Sequence, residues 1–173
     1  MRLFIALDFD DPEYFSNIQK QIPPDTAKLT LPKTFHLTLK FLGEVPDDKV
    51  DELKDRLRQV KFEAISASTD KIGVFPTESY TRVVWVGLKD GDKIIEIQQR
   101  VEKALEGMFP KDNRFHPHIT LARVKFVKDK VNFIKKLREI KVEPKEFSIN
   151  GFKLVKSTLT PEGPVYEDLE VFS

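Results

Sequence analysis

The chain has 173 residues, a net charge of +1 and no cysteine. This fits one domain or two small lobes around a shared core, and it excludes a disulfide framework, a thiol nucleophile and a strong overall electrostatic footprint for nucleic acid. Any anionic ligand must therefore be met by local cations. Apolar residues make up 40% and include 14 Phe, enough for a sizeable core, yet no run of about 18 apolar residues offers a membrane span. The opening segment is too short and too soon acidic for a signal peptide, so a cytoplasmic protein without membrane contact is expected. Charged residues at 33% with two Met resemble a thermophile composition.

In chain order, Leu3–Leu7 reads as a buried strand bounded by charges. A helix follows to about Ile22, with Asp11 as N-cap, Pro12 at its first position and Pro23-Pro24 as its stop. Ala27–Leu31 is a short extended piece, and Phe35–Phe41 a strand ended by Gly43. Pro46–Val60 is helical, since Val50, Leu53, Leu57 and Val60 keep the three-and-four spacing. Phe62–Phe75 and Thr81–Leu88 read as strands joined by a turn. Asp92–Met108 is a helix, His118–Lys125 a strand, Asp129–Ile140 a helix, and Glu146–Ser157 and Pro164–Val171 closing strands. The pattern strand, helix, strand, strand recurs from residue 36 and from residue 118, each time after a further helix. It reads as a diverged internal duplication. The expected architecture is α+β, with residues 1–173 forming a single bilobal domain. Two pseudo-symmetric lobes of mostly antiparallel sheet carry outer helices and leave a cleft between them.

Two of the three histidines open nearly identical tetrapeptides, His36-Leu37-Thr38-Leu39 and His118-Ile119-Thr120-Leu121, about half the chain apart. On a strand each His shares a face with its Thr, and the apolar residues take the other face. One copy alone reads better as a solvated strand face. The second copy, at the equivalent place in the other half, points to a paired site. An imidazole gives or takes a proton near neutral pH, and a Thr hydroxyl donates to an anionic oxygen. Two of each suit a phosphodiester: one His activates the nucleophile, the other protonates the leaving oxygen, and the hydroxyls hold the equatorial oxygens. Neither motif carries a carboxylate, so no metal and no other cofactor is expected.

Strict alternation adds Lys40 to the face of His36 and Thr38, where its charge suits phosphate, and sends Phe41 to the apolar face with Leu37 and Leu39. Alternation sends Arg123 to the face opposite His118, unless a bulge turns it. His116 and His118 form a His-x-His pair, but Pro117 between them and the lack of a third ligand argue against metal. His116 is expected to orient or support. Phe75, Tyr80 and Trp85 are candidate surfaces for a stacked base; Phe75 is placed at the cleft and Trp85, in an apolar strand, in the core. Phe15 and Phe62 read as core, and Tyr14, four residues before Ile18, flanks the apolar stripe of the first helix.

The chain resembles the 2H phosphoesterases, and more narrowly the bacterial and archaeal RNA 2′,3′-cyclic phosphodiesterases, also called 2′-5′ RNA ligases. The resemblance runs the whole length. It includes Arg2-Leu3-Phe4-Ile5-Ala6-Leu7, the segment Phe35 to Glu44, Gly73-Val74-Phe75-Pro76, Val84-Trp85-Val86-Gly87, and Phe115 to Arg123. It implies hydrolysis of a 2′,3′-cyclic phosphate to a 2′-phosphomonoester, with His36 as proton donor to the 3′ oxygen and His118 as the acceptor that activates water. It also favours an arginine, Arg123, reaching the substrate. The residues themselves leave the two His roles interchangeable. The reverse reaction would join a cyclic-phosphate end to a 5′-hydroxyl end as a 2′-5′ linkage. The implied partners are RNA ends or nucleotides bearing the cyclic phosphate, acted on by a monomer. Two competing readings are a non-catalytic RNA-end or nucleotide-binding module and a phosphodiesterase for ADP-ribose cyclic phosphates.

Overall fold

The computed structural model describes residues 1–173. Nine strands form two antiparallel sheets. The first runs β3 (His36–Glu44), β1 (Arg2–Asp8), β8 (Phe152–Thr160), β9 (Gly163–Phe172). The second runs β2 (Ala27–Thr30), β6 (His118–Val127), β5 (Tyr80–Lys89), β4 (Ile65–Thr77), β7 (Glu146–Ile149). Four helices join them: α1 (Pro12–Gln19), α2 (Val50–Arg58, after a short 3-10 turn), α3 (Asp92–Ala104) and α4 (Lys130–Arg138). No helix is long and apolar enough to cross a membrane.

Side-chain caps start two of the four helices, α1 and α4. The Asp11 and Asp129 carboxylates accept from the backbone N–H of Tyr14 and Asn132, three residues on. Each helix buries an apolar stripe: Phe15 and Ile18 on α1; Leu53 and Leu57 on α2; Ile94, Ile97 and Val101 on α3. These stripes meet Leu3, Ile5, Leu7, Leu37 and Leu39 from one sheet and Val84, Val86, Ile119 and Leu121 from the other in one continuous core. The two lobes therefore do not have separate interiors.

The repeat is real, but its frame differs from the expected one. It begins one strand earlier: β1-α1-β3-α2-β4 matches β5-α3-β6-α4-β8, and each unit gives its last strand to the other sheet. The expected single strand 146–157 is thus two strands on different sheets. Gly151 makes the crossing, where an added Cβ would collide with the Phe172 carbonyl. The helices are exchanged as well. The side chain of Gln19 on α1 donates to the Leu121 carbonyl of β6 at 2.8 Å, and Glu102 on α3 binds Lys40 of β3. This interleaving brings β3 of the first sheet against β6 of the second.

Candidate active site

The two His-x-Thr-x strands meet at this junction, and both carry the same irregularity. In β3, Ala6 pairs with Thr38 and Ile5 with Lys40, so Leu39 is the extra residue of a bulge. In β6, Trp85 pairs with Thr120 and Val84 with Ala122, so Leu121 is the extra residue. Each bulge reverses the alternation beyond it. His36 and Thr38 share the cleft face with Phe41, not Lys40; His118 and Thr120 share theirs with Arg123.

Two expectations change as a result. Lys40 is 4% exposed on the core side, with Nζ 2.7 Å from Glu102 Oε1 and 2.8 Å from the Pro110 carbonyl. It cannot reach a phosphate in the cleft. Phe41 is 68% exposed on the cleft side rather than packed under the helices. Arg123, by contrast, is turned toward the cleft by a bulge, the departure from strict alternation that would place it there. Val84 and Val86 fill the core positions of β5, so Trp85 also faces the cleft, half-buried and not in the core. Its indole lies over Gly73, where a Cβ would collide with the ring. The indole N–H is buried without an acceptor, so packing alone holds the ring.

Each histidine sits among aromatic rings. His36 stacks on Phe4 at 5.1 Å and meets the edge of Tyr166 at 5.5 Å; Phe41 lies 6.2 Å from Phe4. His118 meets Phe75 edge-on at 4.9 Å and lies 6.1 Å from Trp85, while His116 lies 5.0 Å from Trp85. Phe75 thus stands beside His118, and the His116 carbonyl faces the His118 ring. Phe4, Phe41, Tyr166 and Lys153 join the site without warning from sequence. For Phe41 alone the repeat held a signal, since it stands five residues after His36 as Arg123 stands after His118.

The histidines differ in their hydrogen bonds. His118 Nδ1 lies 2.7 Å from the His116 carbonyl. A carbonyl only accepts, so Nδ1 carries the proton and the lone pair of the neutral ring is on Nε2. His36 makes no such bond. Burial lowers the proton affinity of both rings. For His36 the positive charges of Lys153 and Arg123 and neighbouring His118 add to burial, bringing its pKa down to about 4. For His118 burial comes first; the bond to the His116 carbonyl opposes it, and His116 and Arg123 lower it further. Arg123 thus acts on both rings, and both are neutral at pH 7 with the cleft free. No group of three or more His, Cys, Asp or Glu side chains is arranged to hold a metal ion.

Known proteins place this arrangement. The family model for LigT-like phosphoesterases matches twice, over residues 9–85 and 86–166. The chain is 35% identical to the RNA 2′,3′-cyclic phosphodiesterase of Methanocaldococcus jannaschii over 96% of its length and 97% of the relative's. It is 36% identical to that of Archaeoglobus fulgidus over 99% of each. Among solved structures, a Thermus thermophilus protein superposes with a TM-score of 0.78 at 30% identity, covering 100% of this chain and 97% of that one. Escherichia coli LigT, crystallised with 3′-AMP, gives a TM-score of 0.72 at 25% identity over 99% and 96%.

Proposed function

The chain belongs to the LigT-like phosphoesterase family, and from that premise we propose that it hydrolyses the 2′,3′-cyclic phosphate of an RNA end to a 2′-phosphomonoester, His118 acting as base and His36 as acid. The observation that carries the role assignment is the 2.7 Å bond from His118 Nδ1 to the His116 carbonyl. It leaves Nε2 as an acceptor toward the cleft, as a base requires. A water gives its proton to His118 Nε2 while its oxygen bonds to phosphorus. The P–O3′ bond breaks, and His36 delivers a proton to O3′. Thr38, Thr120 and Arg123 donate to the non-bridging oxygens, where charge gathers in the transition state.

His36 lacks its proton in the free protein, so the substrate must supply the reason to acquire it. A phosphodiester anion between Arg123 and the two rings opposes the cations that lower the His36 pKa. Substrate binding therefore takes up a proton and charges the acid in place. Tyr166 beside His36, Phe41 next to Phe4, and Phe75 beside His118 offer aromatic surface to the bases next to the phosphate. One chain supplies both histidines and the arginine, so a monomer suffices, and the shared core supports a single bilobal domain.

The test is product analysis on an RNA oligomer ending in a 2′,3′-cyclic phosphate, in the presence of EDTA. A 2′-monophosphate end is expected. Intact substrate bound without turnover would favour a binding module. A 3′-monophosphate would reverse the choice of leaving oxygen, and activity restored only by added Zn²⁺ or Mn²⁺ would replace the acid–base scheme. Supplying the same cleft with cyclic-phosphate and 5′-hydroxyl ends together tests for 2′-5′ joining.

A further inference from the structure

One charged group at the cleft is left unused by this mechanism. Lys153 on β8 is 18% exposed, and its Nζ lies 2.8 Å from Asp8 and 3.0 Å from Asp168. It stands in a row with Ala6 and Thr38 across the first sheet. Ala6 has no bulk to block the lysine stem, which can lie toward His36. The corresponding row of the second sheet runs Gly73, Trp85, Thr120, with the indole in that space. Lys153 therefore has no counterpart beside His118.

Asp8 is the direct cross-strand partner of His36. Such partners point to the same face with Cβ atoms roughly 4.5–5.5 Å apart, so a carboxylate there is within reach of the imidazole. Asp168, on β9, borders the same patch. Yet neither carboxylate hydrogen-bonds to the ring; both are held by Lys153. The charged and titratable groups around His36 are Asp8 from β1, Lys153 from β8, Tyr166 and Asp168 from β9, and His118 and Arg123 from β6.

We propose that Lys153 is a positioning residue that engages Asp8 and Asp168 so that neither pairs with the His36 imidazole. A fixed carboxylate partner would keep the imidazole protonated whether or not substrate were present. It would also make the ring a poorer proton donor and set a negative charge against the incoming phosphate. With Lys153 in place, the charge on the ring follows the phosphate. The inference rests on His36 being the acid of the proposed reaction, but its first readout does not.

That readout is the NMR titration of the His36 ring in the free protein, which needs no substrate. Lys153→Met is expected to move the titration to higher pH, and Lys153→Arg to leave it near the parent's. Asp8→Asn, at an exposed position that does not threaten folding, is expected to move it to lower pH, because Lys153 then has one carboxylate fewer. Adding Asp8→Asn and Asp168→Asn to Lys153→Met should reverse most of the upward move. In the rate profile for a 2′,3′-cyclic nucleotide, Lys153→Met should carry the basic limb to higher pH. Superimposable titrations of the parent, Lys153→Met and Asp8→Asn overturn the proposal. So does an upward move that survives removal of both carboxylates. Titrations that move as expected in a protein without hydrolytic activity would instead overturn the proposed function and leave the clamp standing.

Discussion

Replacing Lys40 separates a structural lysine from a substrate-binding one. Its ammonium and the Glu102 carboxylate are 2.7 Å apart with side-chain exposures of 4% and 7%. Gln98 Nε2 and the Asp112 N–H also donate to Glu102 Oε1, so the pair fastens α3 to β3 and to the loop that leads to His118. Lys40→Met leaves a buried carboxylate without its cation and the Pro110 carbonyl without its donor. Breaking one partner of such a pair costs about 3–5 kcal/mol. For a chain of this size each kcal/mol moves the melting midpoint by about 2–4 °C, so the expected fall lies between about 6 and 20 °C. Lys40→Met with Glu102→Leu should recover part of it, since two apolar groups of similar volume replace the pair. Recovery is incomplete because Gln98 and Asp112 lose their acceptor. Calorimetry on the parent and both variants decides the matter. An unchanged midpoint for Lys40→Met, with a steep rise in KM, would refute this and return the ammonium to the phosphate.

His36→Ala and His118→Ala should each lower kcat by roughly 10²–10⁴-fold with little change in the melting midpoint; parent-like turnover in either would end the paired-site reading. Thr38→Val and Thr120→Val should each cost on the order of 10-fold, in kcat more than KM, and a change confined to KM would make the hydroxyls ground-state binders. Phe41→Ala should raise KM for an oligonucleotide by about 5- to 100-fold, corresponding to about 1–3 kcal/mol of base stacking, with kcat nearly unchanged; an unaltered KM would remove the ring from the substrate site. Because burial and nearby cations lower the His36 pKa from 6.5 to about 4, the unfolded chain binds the proton more readily than the folded one. The free protein should therefore lose stability as pH falls from about 6.5 toward 4, which thermal melts across that range will register. Nucleotide binding near neutral pH should take up protons, seen as a binding enthalpy that depends on the buffer.

The sequence showed the fold class and every helix, because period-2 and period-3.6 patterns report burial directly. It failed where the chain departs from those periods. One extra residue, Leu39, exchanges the places of Lys40 and Phe41; another, Leu121, brings Arg123 to the cleft. A bulge has no composition signal of its own, and Lys on a strand reads as exposed until a buried Glu is found for it. Trp85 was misplaced for a related reason. Its neighbours Val84 and Val86 make the strand look uniformly apolar, while the room for the indole comes from Gly73 on the adjacent strand. Exchange of strands and helices between the two units also lies outside what a linear pattern can express. Gly151 lets the chain pass from one sheet to the other, and only the paired strands reveal which sheet each segment joins.

Two nearly identical tetrapeptides, related by a pseudo-twofold arrangement, should on their own make two equivalent histidines. The third residues around them remove that equivalence. A backbone carbonyl fixes the His118 tautomer, and the preceding His116-Pro117 segment supplies it. No carbonyl or carboxylate holds His36, whose ring packs against Phe4 and Tyr166. Arg123 stands on the His118 strand where Phe41 stands on the other, so a strand that carries a cation lies opposite one that offers an aromatic face. Both rings start from the same reference proton affinity and both are neutral while the cleft is free. An anion between them would raise both, but only His118 has its Nδ1 proton already committed to a carbonyl, which leaves the lone pair on Nε2. In the proposed reaction His36, which has no fixed acceptor, gains its second proton when the phosphate arrives and then gives one to the leaving oxygen. The proposed direction of proton flow thus rests on one carbonyl, one arginine and the lack of a carboxylate partner, while the duplicated motif supplies only the two chemically competent rings.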